Sequence, residues 1–197
     1  ALRSGTKAEV KKLILTASGG PFRGYTKEQL EQVSVQEALA HPTWAMGPVV
    51  TVNSSTMMNK GLEIIEAHLL FDIPMEQIEV VVHPHRLPNS STPCDWSTST
   101  SWTFEPVDNN VFPAVNLAKK VGSKAGTAPA VMNAANEVAV DAFLGGSLKY
   151  SQIVPTVSQI VESHLASGFV SDQDLTIEEV IKAANWATEA AKALLAK

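Results

Sequence analysis

Apolar and polar positions alternate between two periods along this chain, and the change of period divides it. Residues 13–17 (Leu-Ile-Leu-Thr-Ala) and 78–83 (Ile-Glu-Val-Val-Val-His) are short apolar or β-branched runs that read as strands. Between them, residues 56–71 read as a helix. At about 100° per residue, Met58, Leu62, Ile65 and Leu69 form its apolar stripe, while Thr56, Asn59, Glu63 and Glu66 share the polar face with Lys60 at its edge. A strand, crossover helix and strand in this order permit parallel pairing. Beyond residue 110 the pattern turns helical, over 113–121, 129–144, 151–167 and 177–195. Thr176 is placed as an N-cap for the last helix, with Glu178 and Glu179 in its positive first turn. The expected architecture is an α/β (α+β) region with a small mixed sheet over 1–90, a linker over 91–110 rich in Pro, Ser, Thr and Asn, and a C-terminal α-helical bundle over 111–197. No internal repeat is visible.

Composition narrows the class without naming a function. The chain has 197 residues, 45% of them hydrophobic, which is enough for a packed core and argues against disorder. A net charge of −5 gives no support for nucleic acid as a partner. No uninterrupted apolar run is long enough to span a bilayer, and no basic-then-apolar leader stands at the first residue. The lone Cys94 cannot form an internal disulfide, which favours a reducing compartment.

Candidate chemistry gathers in three segments. The run 53–63 (Asn-Ser-Ser-Thr-Met-Met-Asn-Lys-Gly-Leu-Glu) concentrates amide, hydroxyl, ammonium and carboxylate groups in one helical stretch. In 13–23, a strand-like run ends in Ser18-Gly19-Gly20-Pro21, a turn that lets backbone N–H groups approach an anion, although the same residues make ordinary turns. The loop 41–47 holds His41, Trp44 and Met46 between Pro42 and Pro48, and such a loop either closes over a ligand or packs onto a core. Ser18, Ser54, Asn59 and Lys60, with His41, are the donor mixture a phosphate dianion needs. Glu63 is the candidate ligand for a hard divalent ion, Mg²⁺ or Mn²⁺, though one carboxylate is seldom enough. His83 and His85 stand two residues apart without a Cys or third His nearby, so a zinc site is disfavoured, and His68 and His164 read as surface or packing residues.

Read in order, Thr-Ala-Ser-Gly-Gly-Pro-Phe-Arg (16–23), His-Pro-Thr-Trp-Ala-Met-Gly (41–47) and Ser-x-Thr-Met-Met-Asn-Lys-Gly-Leu-Glu (54–63) resemble the 1-deoxy-D-xylulose 5-phosphate reductoisomerases. The likeness continues through Glu-Val-Val-Val-His-Pro (79–84), Trp-Thr-Phe-Glu-Pro (102–106), Phe-Pro-Ala-Val (112–115) and Asn-Ala-Ala-Asn-Glu (133–137). It implies an NADPH-dependent, divalent-metal-dependent enzyme that rearranges and reduces a keto sugar phosphate on the non-mevalonate route to isoprenoids. It also implies a homodimer joined through the sheet, in the cytoplasm or, in a eukaryote, the plastid stroma.

Residue by residue, the resemblance gives Ser18, His41, Ser54, Asn59, Lys60 and Glu63 to substrate binding and His41, Trp44, Lys60 and Glu63 to catalysis. Ala17, Gly19 and Met46 fall to the cofactor, Glu63 to the metal, and Trp44 with Met46 to a lid over substrate. Asn133, Asn136 and Glu137 read as structural, tying their helix to the sheet. The chain departs from the family pattern twice. The nucleotide-binding domain and the Asp-Ser-Glu metal motif would precede its first residue, and no Gly-x-Gly-x-x-Gly follows a strand. After 83–84 the family continues through a few tens of residues, whereas here the chain passes directly to 85–94. The alternatives are a non-catalytic fragment or helical module, and a metal-dependent phosphatase-like enzyme, which lacks the several carboxylates such sites need.

Overall fold

The computed structural model describes residues 5–40, 46–83, 97–99 and 101–196. His41, Trp44, His85 and Cys94 lie outside the described residues. Strand β1 (Leu13–Ala17) pairs in parallel with β2 (Ile78–Val82), Leu13 opposite Ile78 through Ala17 opposite Val82. A two-residue β3 (Glu105–Pro106) adds antiparallel to the other edge of β2 and makes the sheet mixed. The end of the expected linker is therefore a strand. Pro106 donates no backbone hydrogen bond, which suits it to an edge and makes the stretch look like loop in sequence.

Between β1 and β2 run the short α1 (Lys27–Leu30) and α2 (Val35–Ala38), then α3 (Pro48–Ser55) and α4 (Met58–Phe71). Thr26 and Ser34 begin the first two as capping boxes. The single helix expected from residue 56, and the helical run 53–63, are broken at Thr56 and Met57. Met57 adopts the left-handed region at φ 64°, so α3 and α4 have separate axes. The expected faces change with it. Thr56 is buried and off the polar face, Leu69 is two-thirds exposed, and the buried side of α4 is Met58, Gly61, Ile64, Ile65 and Ala67.

The helical part comprises α5 (Ala114–Lys124), α6 (Ala128–Leu144), α7 (Ile153–Ser167) and α8 (Ile177–Leu195). Helix α6 lies at its centre against α5, α7 and α8. Small residues make that possible: Ala128, Ala135 and Ala139 of α6 and Ala183, Ala187 and Ala191 of α8 are buried and allow close approach. Thr176 caps α8 as expected, accepting a hydrogen bond from the Glu179 N–H at 3.2 Å. The buried core continues from α6 through α5 to α4 and the sheet. Among the described residues no helix is long and apolar enough to cross a membrane.

One buried histidine ties the C-terminal helices together. His164 of α7 is buried with its Nε2 2.8 Å from Thr127 Oγ1, and the same Thr127 oxygen accepts the Val170 N–H at 3.1 Å. The ring also packs against Trp186 of α8 at 5.3 Å between centroids. Burial holds the imidazole pKa below its ordinary value, because the charged form loses its hydration. Folding thus favours neutral His164, and the unfolded chain takes up the proton first as pH falls below about 6.5. Stability is expected to be complete above that pH and to decline as pH drops toward the folded-state pKa. Thermal melts at pH 7.5 and 5.5 check this: the acid loss should shrink in His164→Phe, and an equal loss in both proteins would contradict it.

Candidate functional site

The carboxyl end of β1 opens into a polar pocket of about 240 Å³. That position, beyond the carboxyl end of a parallel strand, is where open α/β sheets place ligands. Thr16, Ala17, Ser18 and Gly19 form one wall and Met46 stands at the pocket; Ser54, Met57, Asn59, Lys60 and Glu63 come from the α3–α4 junction and the first turns of α4. The pocket therefore brings together Ala17, Ser18, Gly19, Met46, Ser54, Asn59, Lys60 and Glu63 from the sequence reading. His41 and Trp44 lie outside the described residues, so their places are not part of this geometry. Thr16 and Met57 were not expected. Thr16 follows from the end of the strand, whereas nothing local marks a methionine for a left-handed junction.

The turn after β1 is shaped by sterics. Gly19 and Gly20 both have positive φ, 84° and 64°, a region open to glycine at little cost. A Cβ on Gly20 would stand 2.9 Å from Ser55 Cα and 3.1 Å from Ser54 O, so the turn presses directly on the end of α3. The Gly20 N–H donates to Ser18 Oγ at 3.3 Å and orients that hydroxyl within the turn. Behind it, Phe22 is buried against Tyr150, with ring centroids 5.0 Å apart.

Electrostatics on the α4 side are concentrated in three residues. Lys60 Nζ contacts Glu63 Oε2 at 2.7 Å, and its side chain is only 13% exposed against 38% for Glu63. Asn59 Nδ2 donates to Glu63 Oε1 at 3.3 Å. The ammonium is thus largely withdrawn from water and neutralised by a more exposed carboxylate, which an entering anion can displace. Helix α4 adds its positive end at this point, and Met57 provides no side-chain cap for the first-turn N–H groups. Two hydroxyls, an amide, an ammonium and a helix N-terminus around one cavity are suited to a phosphate.

A metal is less well served. Among the described residues Glu63 is the one carboxylate lining the pocket, and both its oxygens are engaged by Lys60 and Asn59. No group of three or more His, Cys, Asp or Glu able to hold a metal occurs among the described residues. These residues by themselves do not fit a resident divalent ion. His83 is buried, with Nδ1 2.8 Å from Thr103 O and its ring stacked on Phe104 at 4.7 Å, which is a packing role. Its partner in the disfavoured zinc reading, His85, lies outside the described residues.

A larger cavity of about 350 Å³ reaches the α3–α4 junction through Thr56 and is walled by Leu30, Phe112, Pro113, Tyr150 and Val154. It is mostly apolar, and although Lys27, Asn110, Ser151 and Gln152 also line it, none of the described site candidates from the sequence does, so the smaller pocket is the candidate site. In the helical part, Asn133 donates to Glu137 at 2.9 Å on the surface of α6, whereas Asn136 donates inward to Asn53 Oδ1 at 2.9 Å. The expected tie from the 133–137 motif thus runs to α3 rather than to the sheet.

Residues 1–71 match the family described as 1-deoxy-D-xylulose 5-phosphate reductoisomerase C-terminal domain, and residues 76–190 match the DXP reductoisomerase C-terminal domain. The 1-deoxy-D-xylulose 5-phosphate reductoisomerase of Kitasatospora griseola is 48% identical over 231 aligned positions, covering 100% of this chain and 59% of the relative. Those 231 positions exceed the 197 residues of the chain by 34, so the relative carries a few tens of residues without a counterpart here. The enzyme of Arthrobacter sp. FB24 is 49% identical over 94% of this chain and 55% of its own length. The chain thus spans little more than half the length of these curated relatives.

Among solved structures, a DOX-P reductoisomerase in complex with NADPH, fosmidomycin and magnesium superposes with a TM-score of 0.84 at 30% identity, over 94% of this chain and 55% of that one. The Zymomonas mobilis 1-deoxy-D-xylulose 5-phosphate reductoisomerase in complex with NADPH gives 0.82 at 30% identity, over 97% and 56%. With matching folds, family matches over most of its length and near-half identity to the curated relatives, this chain belongs to the 1-deoxy-D-xylulose 5-phosphate reductoisomerase family.

Proposed function

We propose that this chain is the sugar-phosphate-binding part of an NADPH-dependent reductoisomerase that converts 1-deoxy-D-xylulose 5-phosphate to 2-C-methyl-D-erythritol 4-phosphate. The observation that carries the reading is the convergence of Ser18, Ser54, Asn59 and Lys60 on one pocket at the end of β1. In this reading Lys60 supplies the charge for the phosphate, while the Ser18 and Ser54 hydroxyls and the Asn59 amide donate to its oxygens. His41 joins them and Trp44 with Met46 closes over the substrate, roles assigned by the family likeness. Excluding water in this way would strengthen every contact beneath. Ala17, Gly19 and Met46 are the residues assigned to the nicotinamide cofactor. NADPH and magnesium in solved relatives support the cofactor set, with Mn²⁺ the alternative ion. Glu63 would contribute one metal carboxylate and would need oxygens from elsewhere, so no step of the reaction is routed through it. A homodimer and a cytoplasmic or plastid-stromal location complete the proposal.

For the chain by itself a second reading has its own support. A single pocket carboxylate among the described residues, already engaged by Lys60, favours a module that binds phosphate ligands without turnover. The test of the main reading is NADPH oxidation by the full-length protein given 1-deoxy-D-xylulose 5-phosphate and Mg²⁺. Substrate-dependent oxidation is the expected result; phosphate release without oxidation would replace the reading with a hydrolase. A companion prediction concerns Glu63. Because its carboxylate competes for Lys60 and repels a dianion, Glu63→Gln is expected to tighten inorganic phosphate binding several-fold, roughly 1 kcal/mol. Calorimetric titration of the chain reads this, and weaker binding by the variant would contradict it.

A further inference from the structure

We infer that Asn136 of α6 is a positioning residue for the anion pocket, acting through Asn53 to set where α3 presents Ser54. The inference rests on the reading of that pocket as a phosphate site. Asn136 is fully buried, Asn53 is 7% exposed, and the Nδ2–Oδ1 bond between them is 2.9 Å long. The two residues are 83 apart in sequence. Among the described residues Asn136 Oδ1 accepts no hydrogen bond, so the pair is held by one directional contact.

Cohesion between the helices does not require an amide. Helix α6 already buries Val131, Met132, Ala134 and Ala135, and apolar contacts of this kind are non-directional. A hydrogen bond, in contrast, weakens steeply as its angle departs from linear. It therefore fixes how α3 is rotated about its own axis. Helix α3 needs such a constraint: it has eight residues, Gly47 gives it no side-chain cap, and it ends at the left-handed junction at Met57. Ser54 directly follows Asn53, about 100° around the helix. One side chain faces α6 while the next lines the pocket. A rotation of about 20° moves a Cα on its roughly 2.3 Å cylinder by about 0.8 Å, and the side-chain oxygen further. That exceeds the window of about 0.5 Å within which a good hydrogen bond forms.

The test uses the whole chain, labelled for amide NMR and titrated with inorganic phosphate. Asn136→Leu is expected to weaken phosphate about tenfold and to shift the Ser54 amide resonance before any phosphate is added. Val161→Ala, a truncation in the buried core of α7, is the control for lost stability and is expected to bind as the parent does. Should Asn136→Leu fail to fold, Asn53→Leu with Asn136→Leu replaces both amides and leaves no buried orphan; it is expected to fold and still bind weakly. Parent-like affinity with an unmoved Ser54 amide in the leucine variants would overturn the inference, as would equal weakening in Val161→Ala. Failure of the parent chain to bind phosphate would instead overturn the reading of the pocket, and the inference with it.

Discussion

Lys60→Ala is expected to raise the dissociation constant for inorganic phosphate roughly thirtyfold, a loss of about 2 kcal/mol. Hydrogen bonds to charged groups contribute about 1.5–3 kcal/mol, against about 0.5–1.5 for neutral ones. Among the described residues Lys60 is the cation lining the pocket, and its side chain is only 13% exposed, so solvent screens it weakly. Its removal leaves Glu63 facing the dianion with no compensating charge. Ser18→Ala or Ser54→Ala removes one neutral donor and is expected to cost less. Calorimetric titration at fixed ionic strength measures the difference, and an unchanged constant in Lys60→Ala would remove the ammonium from the site.

A large stability effect is expected at Gly61. In an open helix, glycine costs about 1 kcal/mol relative to alanine, so substitution there would normally stabilise. Here α4 crosses α5 at this residue. A Cβ on Gly61 would stand 2.8 Å from Ala118 Cβ and 3.3 Å from Ala114 O. Neither neighbour is the end of a flexible side chain, so the helices must separate. Gly61→Val is expected to destabilise the fold by about 3 kcal/mol. For a chain of this size that is a fall in Tm on the order of 10 °C. Thermal unfolding followed by circular dichroism checks it; a Tm within about a degree of the parent would mean that α4 and α5 do not meet as described. Because Asn59, Lys60 and Glu63 ride on the same helix, phosphate affinity should fall as well.

Where one element carries its own signal, the sequence was enough to place it. The apolar runs of β1 and β2 and the Thr176 cap of α8 are local features, and the structure puts each where its residues indicate. Most of the proposed site residues converge because three consecutive motifs surround a single β1–α4 crossover. The junction at Met57 was not legible: methionine has no leaning toward positive φ, and tertiary packing imposes the turn on a residue that is buried. Thr56 went with it, because a helical wheel drawn through a break assigns its polar residue to the wrong face. The Asn53–Asn136 bond joins distant segments and leaves no periodic trace. His164 shows the same limit, since only the fold brings Thr127 to its ring.

The central claim is that the pocket at the end of β1 takes the phosphate of a sugar phosphate. The most direct measurement is amide NMR of the labelled chain during titration with 1-deoxy-D-xylulose 5-phosphate. Saturable shifts at Gly19, Gly20, Ser54, Asn59 and Lys60, reproduced by inorganic phosphate and weakened in Lys60→Ala, are the expected result. Shifts centred instead on Leu30, Phe112 and Tyr150 around the larger cavity, or no saturable shift, would contradict it.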